Sequence, residues 1–338
     1  MKNKILLFSM VIILATSLVV GGCAAPTPAK TYTFTAAAAW EENHPNNAPL
    51  FHLIDSVNEK CETKDGKLTL TWVGGPETFK ATDLPDACNA GSVDLFHSSC
   101  LYYGGVVPES NYTSLPYAWD FDTASGMWNA GINDLVDKAW QKKGIKVLDF
   151  ASLLGFYFFR TEPFTKLSDF EGKKLRVPGG LFAFLPPYLG AVSTSLASAE
   201  VYGAMQRGTI DGGLQPLVSY VKYSYWEVAP YVLDYPLFTS GAWYWVNLEK
   251  FNGLPASLQD KLVEIARDEE TFAMDFWEEN HVQWIETMNA QGANFISLSA
   301  EDEREMAEKV LKLKDKIAEQ VPPEDSKVLF EIYDRFTK

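Results

Sequence analysis

The chain has few of the residues that build metal centres and common catalytic sites. Its 338 residues include four histidines and four cysteines. The histidines (His44, His52, His97 and His281) have no metal-ligand spacing, and neither a CxxC pair nor a GxSxG nucleophile elbow occurs. The glycine pairs are typical of turns rather than phosphate loops. We therefore expect no metal, no cofactor and no enzymatic activity.

Basic residues are also scarce relative to acidic ones. The chain has 29 lysines and arginines against 44 aspartates and glutamates, a net charge of −15. Without Lys2 and Lys4, which belong to the leader described next, 27 basic residues remain and the net charge is −17. The negative electrostatic field of a chain with this charge argues against nucleic-acid binding. It does not exclude an anionic ligand, because salt screens a distant average field and one local arginine can outweigh it.

Only one long apolar run occurs, and it lies at the N-terminus. Lys2 and Lys4 precede an uncharged run over residues 5–20, which is typical of a secretory signal peptide, here residues 1–22. The sequence VGGC, ending at Cys23, resembles a bacterial lipobox, which predicts lipid on Cys23 and a tether over residues 23–30. An N-terminal anchor helix is the alternative. We expect an extracytoplasmic, lipid-anchored protein, in the periplasm or on the outer face of the cell membrane.

Three cysteines remain after Cys23: Cys61, Cys88 and Cys100. An odd number permits at most one internal disulfide and leaves at least one free thiol. The compartment would allow a bridge, and the sequence does not choose a pair. Buried free thiols are the favoured interpretation.

Strand-like runs alternate with helical ones, which indicates an α/β fold with largely parallel sheets. Residues 89–94 (NAGSVD) and 206–211 (QRGTID) both end a helix at glycine and then enter a strand. This internal echo suits two similar lobes that face a common cleft. The spacing of apolar residues from Pro255 to Met288 predicts one long helix.

The most informative stretch runs from Lys173 to Leu217 and reads KKLRVPGGLFAFLPPYLGAVSTSLASAEVYGAMQRGTIDGGLQPL. Arg176 lies in a short strand that ends in Pro-Gly-Gly, and a helix follows that begins at Ser198 and closes at Gly208. An arginine at the mouth of a strand can bind a carboxylate through two parallel hydrogen bonds. A structural ion pair with Glu200 is the alternative.

This stretch resembles the solute-binding proteins of TRAP transporters, the DctP-like family. The resemblance rests on DFEGKKLRVP at residues 169–178, EVYGAMQRGTIDG at residues 200–212 and Pro216. It implies a two-lobed, periplasmic-binding-protein-like fold with a cleft between the lobes and a long helix that crosses both. The expected division assigns residues 31–153 plus 243–281 to lobe I, and residues 154–242 plus 282–338 to lobe II.

The resemblance also implies a binding site. Arg176 matches the family's carboxylate-binding arginine, and Gln215 stands where the family usually carries asparagine. Phe156 occupies a position at which many relatives carry a second arginine, and Arg160 lies either at the cleft rim or in a bracing role. Ser198 is expected to cap its helix. The full set of expected ligand-binding residues is Arg176, Gln215, Phe156, Ser99, Tyr102, Trp40, Phe79, Phe158 and Trp243.

More rings and fewer arginines favour a monocarboxylate with an apolar or aromatic body. The resemblance implies that the protein delivers this solute to a TRAP membrane permease driven by an ion gradient. A C4-dicarboxylate or a sugar acid is the alternative ligand. A lipoprotein that senses its ligand for a receptor, an ABC-type binding protein and an extracytoplasmic enzyme are the alternative classes.

Overall fold

The structure is a computed structural model that describes residues 30–114, 121–153, 155–238 and 240–336. The predicted signal peptide, Cys23 and nearly all of the predicted tether lie outside these residues. Within the described part of the chain, no helix is both long enough and apolar enough to cross a membrane.

The first sheet has six strands in the order β2-β3-β1-β4-β11-β5. Strands β1, β3 and β4 run parallel, whereas β11 is antiparallel to both of its neighbours. In β1, three consecutive alanines at positions 36–38 are fully buried, so neighbouring layers can pack closely on both faces. The strands are β1 Thr31–Ala38, β2 Glu62–Thr63, β3 Gly66–Gly74, β4 Leu95–Ser99, β5 Ile145–Leu153 and β11 Ser240–Asn247.

The second sheet also has six strands, in the order β12-β10-β6-β9-β7-β8. Strands β7, β8 and β9 are parallel, and β6 is antiparallel to β9 and β10. The strands are β6 Phe156–Arg160, β7 Lys174–Val177, β8 Val192–Ser195, β9 Gly212–Pro216, β10 Tyr231–Leu233 and β12 Asn294–Ile296. Two sheets with helices around them confirm the predicted α/β, two-lobed architecture. The expectation of largely parallel sheets is wrong: in the described residues five of the ten strand pairs are antiparallel, because β6 and β11 run against both of their neighbours and β2 forms a hairpin with β3.

Helices cover the two sheets. In chain order they are α1 Ala48–Lys60, α2 Leu84–Asn89, α3 Phe121–Met127, α4 Asn133–Gln141, α5 Leu185–Tyr188, α6 Ser198–Gln206, α7 Leu217–Lys222, α8 Leu248–Asn252, α9 Ala256–Ala290, α10 Ala300–Leu311, α11 Leu313–Gln320 and α12 Pro323–Phe336. A π-helical segment, Trp128–Ile132, joins α3 to α4.

The chain crosses between the sheets where β5 leads into β6 and where β10 leads into β11. These two crossing segments are hydrogen-bonded to each other. The amide of Phe156 donates to the carbonyl of Phe238 at 2.9 Å, and the amide of Leu237 donates to the carbonyl of Phe156 at 2.9 Å. The connection between the lobes is therefore a short paired ribbon and not two independent linkers.

The long helix is confirmed. Helix α9 has 35 residues, which corresponds to about 50 Å. It packs against α1 and β5 of the first lobe and against α7 of the second, so it spans both. Its buried face includes Leu262, Ala273 and Trp277.

The C-terminal helix returns to the first sheet's side of the molecule. Helix α12 packs against α3 and the Trp128–Ile132 segment, and the ring of Phe336 lies against Gly126. The expected division of the chain into lobes at residues 153/154, 242/243 and 281/282 stays a prediction.

The three cysteines in the described residues, Cys61, Cys88 and Cys100, are free and buried. The sequence analysis favoured buried free thiols, and the structure agrees with that interpretation. Burial raises the pKa of each thiol, so all three are poor nucleophiles at neutral pH.

One buried acid of the first lobe has an unusual pKa. Asp149 on β5 is 4% exposed and accepts hydrogen bonds from the Trp128 indole and the Phe150 amide, both at 2.8 Å. Burial raises its pKa to about 7, and the two donors oppose that rise. Glu270 raises the pKa further and Arg267 lowers it, each by a smaller amount.

This shift predicts a pH-dependent stability. The carboxyl of Asp149 ionises near pH 4 in the unfolded chain but near pH 7 in the folded one. The free energy of unfolding therefore falls as the pH rises between these values, by at most about 4 kcal/mol. We expect Asp149→Asn to be more stable than the wild type at pH 8 and equally stable near pH 4, as measured by urea unfolding. Asp275→Asn, an exposed position on α9, serves as the control. Parallel pH profiles for the wild type and Asp149→Asn would contradict this account.

Candidate functional site

A cleft lies between the two sheets, at the edge where β1, β4, β7 and β9 end. Because the carboxyl ends of these strands meet there, the side chains that follow them converge. The residues that line the cleft are Trp40, Asn46, Ser99, Tyr102, Phe156, Arg176, Pro178, Ser198, Gln215, Pro216 and Ser219.

The cavity within the cleft is small. About 10 Å³ is open to the centre of a water molecule, which is on the order of one water-sized sphere. A solute that binds here must be compact, or the lobes must separate further to admit it.

Six of the nine side chains expected at the site line this cavity: Trp40, Ser99, Tyr102, Phe156, Arg176 and Gln215. The other three lie elsewhere. Phe158 packs against Phe170 with ring centroids 5.1 Å apart, Trp243 lies between Trp128 and Trp245, and Phe79 packs on the core of the first lobe. Since Phe158 is two residues further along β6 than Phe156, it lies roughly 7 Å deeper in the sheet.

Arg176 is fully buried at the floor of the cleft. Its Nε donates to the carbonyl of Leu196 and its Nη1 donates to the carbonyl of Leu214, both at 2.8 Å. Within the described residues, Nη2 has no hydrogen-bond partner. Two backbone carbonyls therefore fix the guanidinium and leave one of its nitrogens unsatisfied.

Arg176 has no carboxylate within 4.0 Å among the described residues, so the ion pair with Glu200 does not form. The Glu200 side chain instead accepts from the amide of Ala197 at 3.0 Å. Burial lowers the pKa of the Arg176 guanidinium, and the hydroxyls of Tyr102 and Tyr225 oppose this shift. The charge of Glu200 also opposes the shift, by a smaller amount, so the cation is buried with no carboxylate in direct contact among the described residues.

A hydrogen-bonded group of side chains surrounds the entrance to Arg176. The Gln215 amide bonds Ser198 Oγ at 3.1 Å and the hydroxyl of Tyr225 at 3.4 Å. The Tyr102 hydroxyl lies 3.3 Å from Ser198 Oγ. Because Tyr102 follows β4 of the first lobe and Ser198 begins α6 of the second, this contact joins the lobes across the cleft.

The structure changes one expectation about a neighbouring residue and decides between two alternatives for another. Ser198 does not cap α6: the helix begins at Ser198 itself, its cap position is Ala197, and the serine side chain bonds Gln215 and Tyr102. Arg160 does not reach the cleft: its Nη1 donates to the carbonyl of Asp169 at 2.8 Å and its guanidinium lies over the Phe164 ring. Arg160 braces the second lobe.

Sequence reasoning missed Asn46 and Ser219 among the polar lining residues. Asn46 lies in the turn Pro45–Asn47 that precedes α1, and its signal was a polar HPNN run soon after the first strand. Ser219 lies in α7, directly after β9, and nothing in its local sequence separates it from other helix serines.

A second, larger cavity of about 580 Å³ adjoins the cleft and shares Tyr102 and Pro178 with it. Its walls come from both lobes and include Lys80 and Glu200. The shared residues place it as the approach from solvent to Arg176. Within the described ranges, no group of three or more histidine, cysteine, aspartate or glutamate side chains is arranged to hold a metal ion.

Comparison with known proteins identifies the family of this chain. The sequence profile of the family "Bacterial extracellular solute-binding protein, family 7", named DctP, matches residues 36–320. The ectoine-binding periplasmic protein TeaA of Halomonas elongata is 27% identical over 201 residues, which cover 57% of this chain and 58% of TeaA.

Two solved structures share the fold. DctP7 of Bordetella pertussis, an extracytoplasmic solute receptor that binds pyroglutamic acid, is 17% identical with a TM-score of 0.82, covering 90% of this chain and 99% of its own. A TRAP periplasmic solute-binding protein of Desulfovibrio salexigens with bound orotic acid is 18% identical with a TM-score of 0.83 and the same coverage. The profile match extends over most of the chain, and the protein therefore belongs to the DctP family of extracellular solute-binding proteins, a family of transport proteins and not of enzymes.

Proposed function

We propose that this protein captures a small organic monocarboxylate between its lobes and delivers it to a TRAP membrane permease. The observation that carries the proposal is the buried guanidinium of Arg176, which has an unsatisfied Nη2 and no carboxylate within 4.0 Å among the described residues. A carboxylate placed against it would supply the missing charge and the missing acceptor.

Electrostatics favour a ligand role for Arg176 over a structural one. Removing a charge from water costs several kcal/mol, and this cost is offset only when a partner of opposite charge is present. Arg176 donates hydrogen bonds to two backbone carbonyls, which are neutral. A ligand carboxylate would bind in a medium of low dielectric constant, where the attraction is stronger than in water.

The remaining walls favour a single carboxylate on a small body with both apolar and polar surface. Among the described residues no other charged side chain lines the cavity, and Trp40, Phe156, Pro178 and Pro216 contribute apolar surface. Six neutral side chains contribute hydrogen-bonding groups: Asn46, Ser99, Tyr102, Ser198, Gln215 and Ser219. A C4-dicarboxylate would leave its second charge without a cation.

The transport role is proposed from family membership. The chain belongs to a family of extracellular solute-binding proteins, and its structural neighbours bind small acids. We propose that closure of the lobes over the ligand creates the surface that the permease recognises. We also propose that lipid on Cys23 holds the protein on the outer face of a membrane, with residues 23–30 as the tether.

Replacement of Arg176 tests the site directly. We expect Arg176→Met to abolish ligand binding and to leave the free energy of unfolding equal or higher, because it removes an uncompensated buried charge. The measurement is a thermal-shift screen of the chain from Pro26 onward against aromatic and branched monocarboxylates, cyclic acids, C4-dicarboxylates and uronates. A ligand at about 100 times its Kd adds about 2.7 kcal/mol of stability, a shift of roughly 4 °C.

Arg160→Met is the matched control, because Arg160 is equally buried but turned away from the cleft. It should lower the melting temperature and keep ligand binding intact. A ligand shift that survives Arg176→Met, or one that disappears in Arg160→Met while the fold persists, would refute the assignment of the site.

The contact between the lobes gives a second test. We expect Tyr102→Phe to weaken ligand binding by about 3- to 30-fold, since it removes the hydroxyl that reaches Ser198 and lies near Arg176. Stopped-flow measurements should locate the change mainly in the dissociation rate. Tyr103→Phe is the control: its hydroxyl bonds Ala81 and Ser98 within the first lobe, so it should alter stability alone. Equal dissociation rates for Tyr102→Phe and the wild type would contradict a role in closure.

A further inference from the structure

Three buried polar atoms without partners border the cleft: Arg176 Nη2, Asn46 Oδ1 and Ser219 Oγ. Unpaired buried polar atoms are uncommon because desolvation without a hydrogen bond costs free energy. Others in the described residues belong to side chains that do not line the cleft, among them His44 Nε2 and Asn47 Oδ1 near Asn46 and the indole nitrogens of Trp243 and Trp245. Among the cleft-lining residues, these three atoms come from three different elements.

Asn46 is held so that its side chain faces the cavity. Its amide donates to His44 Nδ1 at 3.0 Å, and its carbonyl lies 3.1 Å from His97 Nε2. The side chain is 1% exposed and Oδ1 has no partner. Both backbone groups of Asn46 are therefore fixed by imidazole rings, while the acceptor oxygen stays available.

The next residue shows the contrast. Asn47 is also buried, but its Nδ2 donates to the carbonyls of Trp40 at 3.1 Å and Glu41 at 2.8 Å. These bonds tie down the loop after β1, which is an architectural role. The Oδ1 atom of Asn47 is also buried without a partner, so the two asparagines differ in position: Asn46 lines the cleft, and Asn47 does not.

We infer that Asn46 is a specificity-determining residue, and that the ligand carries an N–H or O–H donor close to its carboxylate. This inference rests on the proposed function. Arg176 on the second lobe receives the carboxylate, and Asn46 Oδ1 on the first lobe accepts the donor. Ser219 Oγ, which can donate or accept, completes the polar contacts.

This pairing narrows the substrate class. The ligands are small 2-hydroxy acids or cyclic acids with a ring N–H. Plain alkyl or aryl acids would leave Asn46 Oδ1 desolvated and unpaired. A site that hydrogen-bonds its substrate rejects an analogue without the matching group more strongly than an apolar pocket can. A second ionised carboxylate would face the Asn46 oxygen and be repelled.

The test uses acids of one skeleton that differ only in the group beside the carboxylate: 2-hydroxyisovalerate, isovalerate and 2-oxoisovalerate. Pyroglutamate and 3-oxocyclopentanecarboxylate, which has CH2 in place of the ring N–H, form a second, cyclic pair. Calorimetry on the wild type should show the donor-bearing acid of at least one set binding about 10- to 100-fold more tightly than its donor-free counterparts. In Asn46→Leu, a substitution of similar size, this ratio should fall to about 1 and the donor-free acids should bind no more weakly than before.

Ser219→Ala checks the result with a smaller substitution on the other lobe, and should reduce the same ratio by less. Circular dichroism and the melting temperature establish that each variant is folded. Loss of all binding in Asn46→Leu with the fold intact would overturn the inference, because a specificity residue should spare the donor-free acids.

The outcomes separate this inference from the proposed function. If no carboxylate of the full screen binds the wild type, the proposed function fails and the inference falls with it. If carboxylates bind but donors give no advantage, or the advantage survives Asn46→Leu, only the inference fails. Preference for the 2-oxo acid that disappears in Asn46→Leu would mean that the Asn46 amide group presents Nδ2, which also overturns the inference.

Discussion

The arrangement of the cleft depends on one buried cation. The Arg176 side chain is anchored by the carbonyls of Leu196 and Leu214, on the two segments that flank β7 in the second sheet. Gly213 pairs with Arg176 across this sheet, and a Cβ at that position would approach Arg176 Cβ to 2.8 Å. A residue with a side chain at position 213 would therefore collide with Arg176 where it now lies. The DGG run of the sequence thus helps to fix the position of the Arg176 charge.

The two lobes are joined in two physically different ways. Behind the cleft, the backbone bonds between Phe156 and Phe238 and between Leu237 and Phe156 form a ribbon that keeps the crossing segments in register. Elsewhere the lobes are joined by side-chain bonds: Tyr102–Ser198 at 3.3 Å, Tyr223–Glu41 at 2.8 Å and Lys222–Asn43 at 2.7 Å. Opening would therefore break such side-chain contacts and bend the ribbon, and the buried face of α9 constrains how far the lobes can move.

Sequence reasoning predicted cleft-lining residues best where a motif and the end of a strand coincide. Arg176 and Gln215 were identifiable because a motif and two strand ends fix them, and Trp40 and Phe156 because they follow or begin strands. Phe158 and Trp243 lie in strand sequences of the same kind as the residues that line the cavity. They differ from those residues only in how deep within the sheet they lie. Asn46 could not be distinguished from Asn47, because the difference lies in which backbone carbonyls the loop presents to each side chain.

Selectivity in such a cleft follows from combining one charge with neutral acceptors. The Arg176 charge would attract any carboxylate, so charge alone discriminates poorly among acids. Neutral groups such as Asn46 Oδ1 and Ser219 Oγ contribute little long-range attraction but impose a large penalty when they are buried unpaired. On the proposed function, closure of the lobes would impose that penalty, since an open cleft would leave these atoms in water. Lobe closure and ligand selection would then be one physical event: only a solute that pairs both the cation and the neutral acceptors would make the closed form the more stable one.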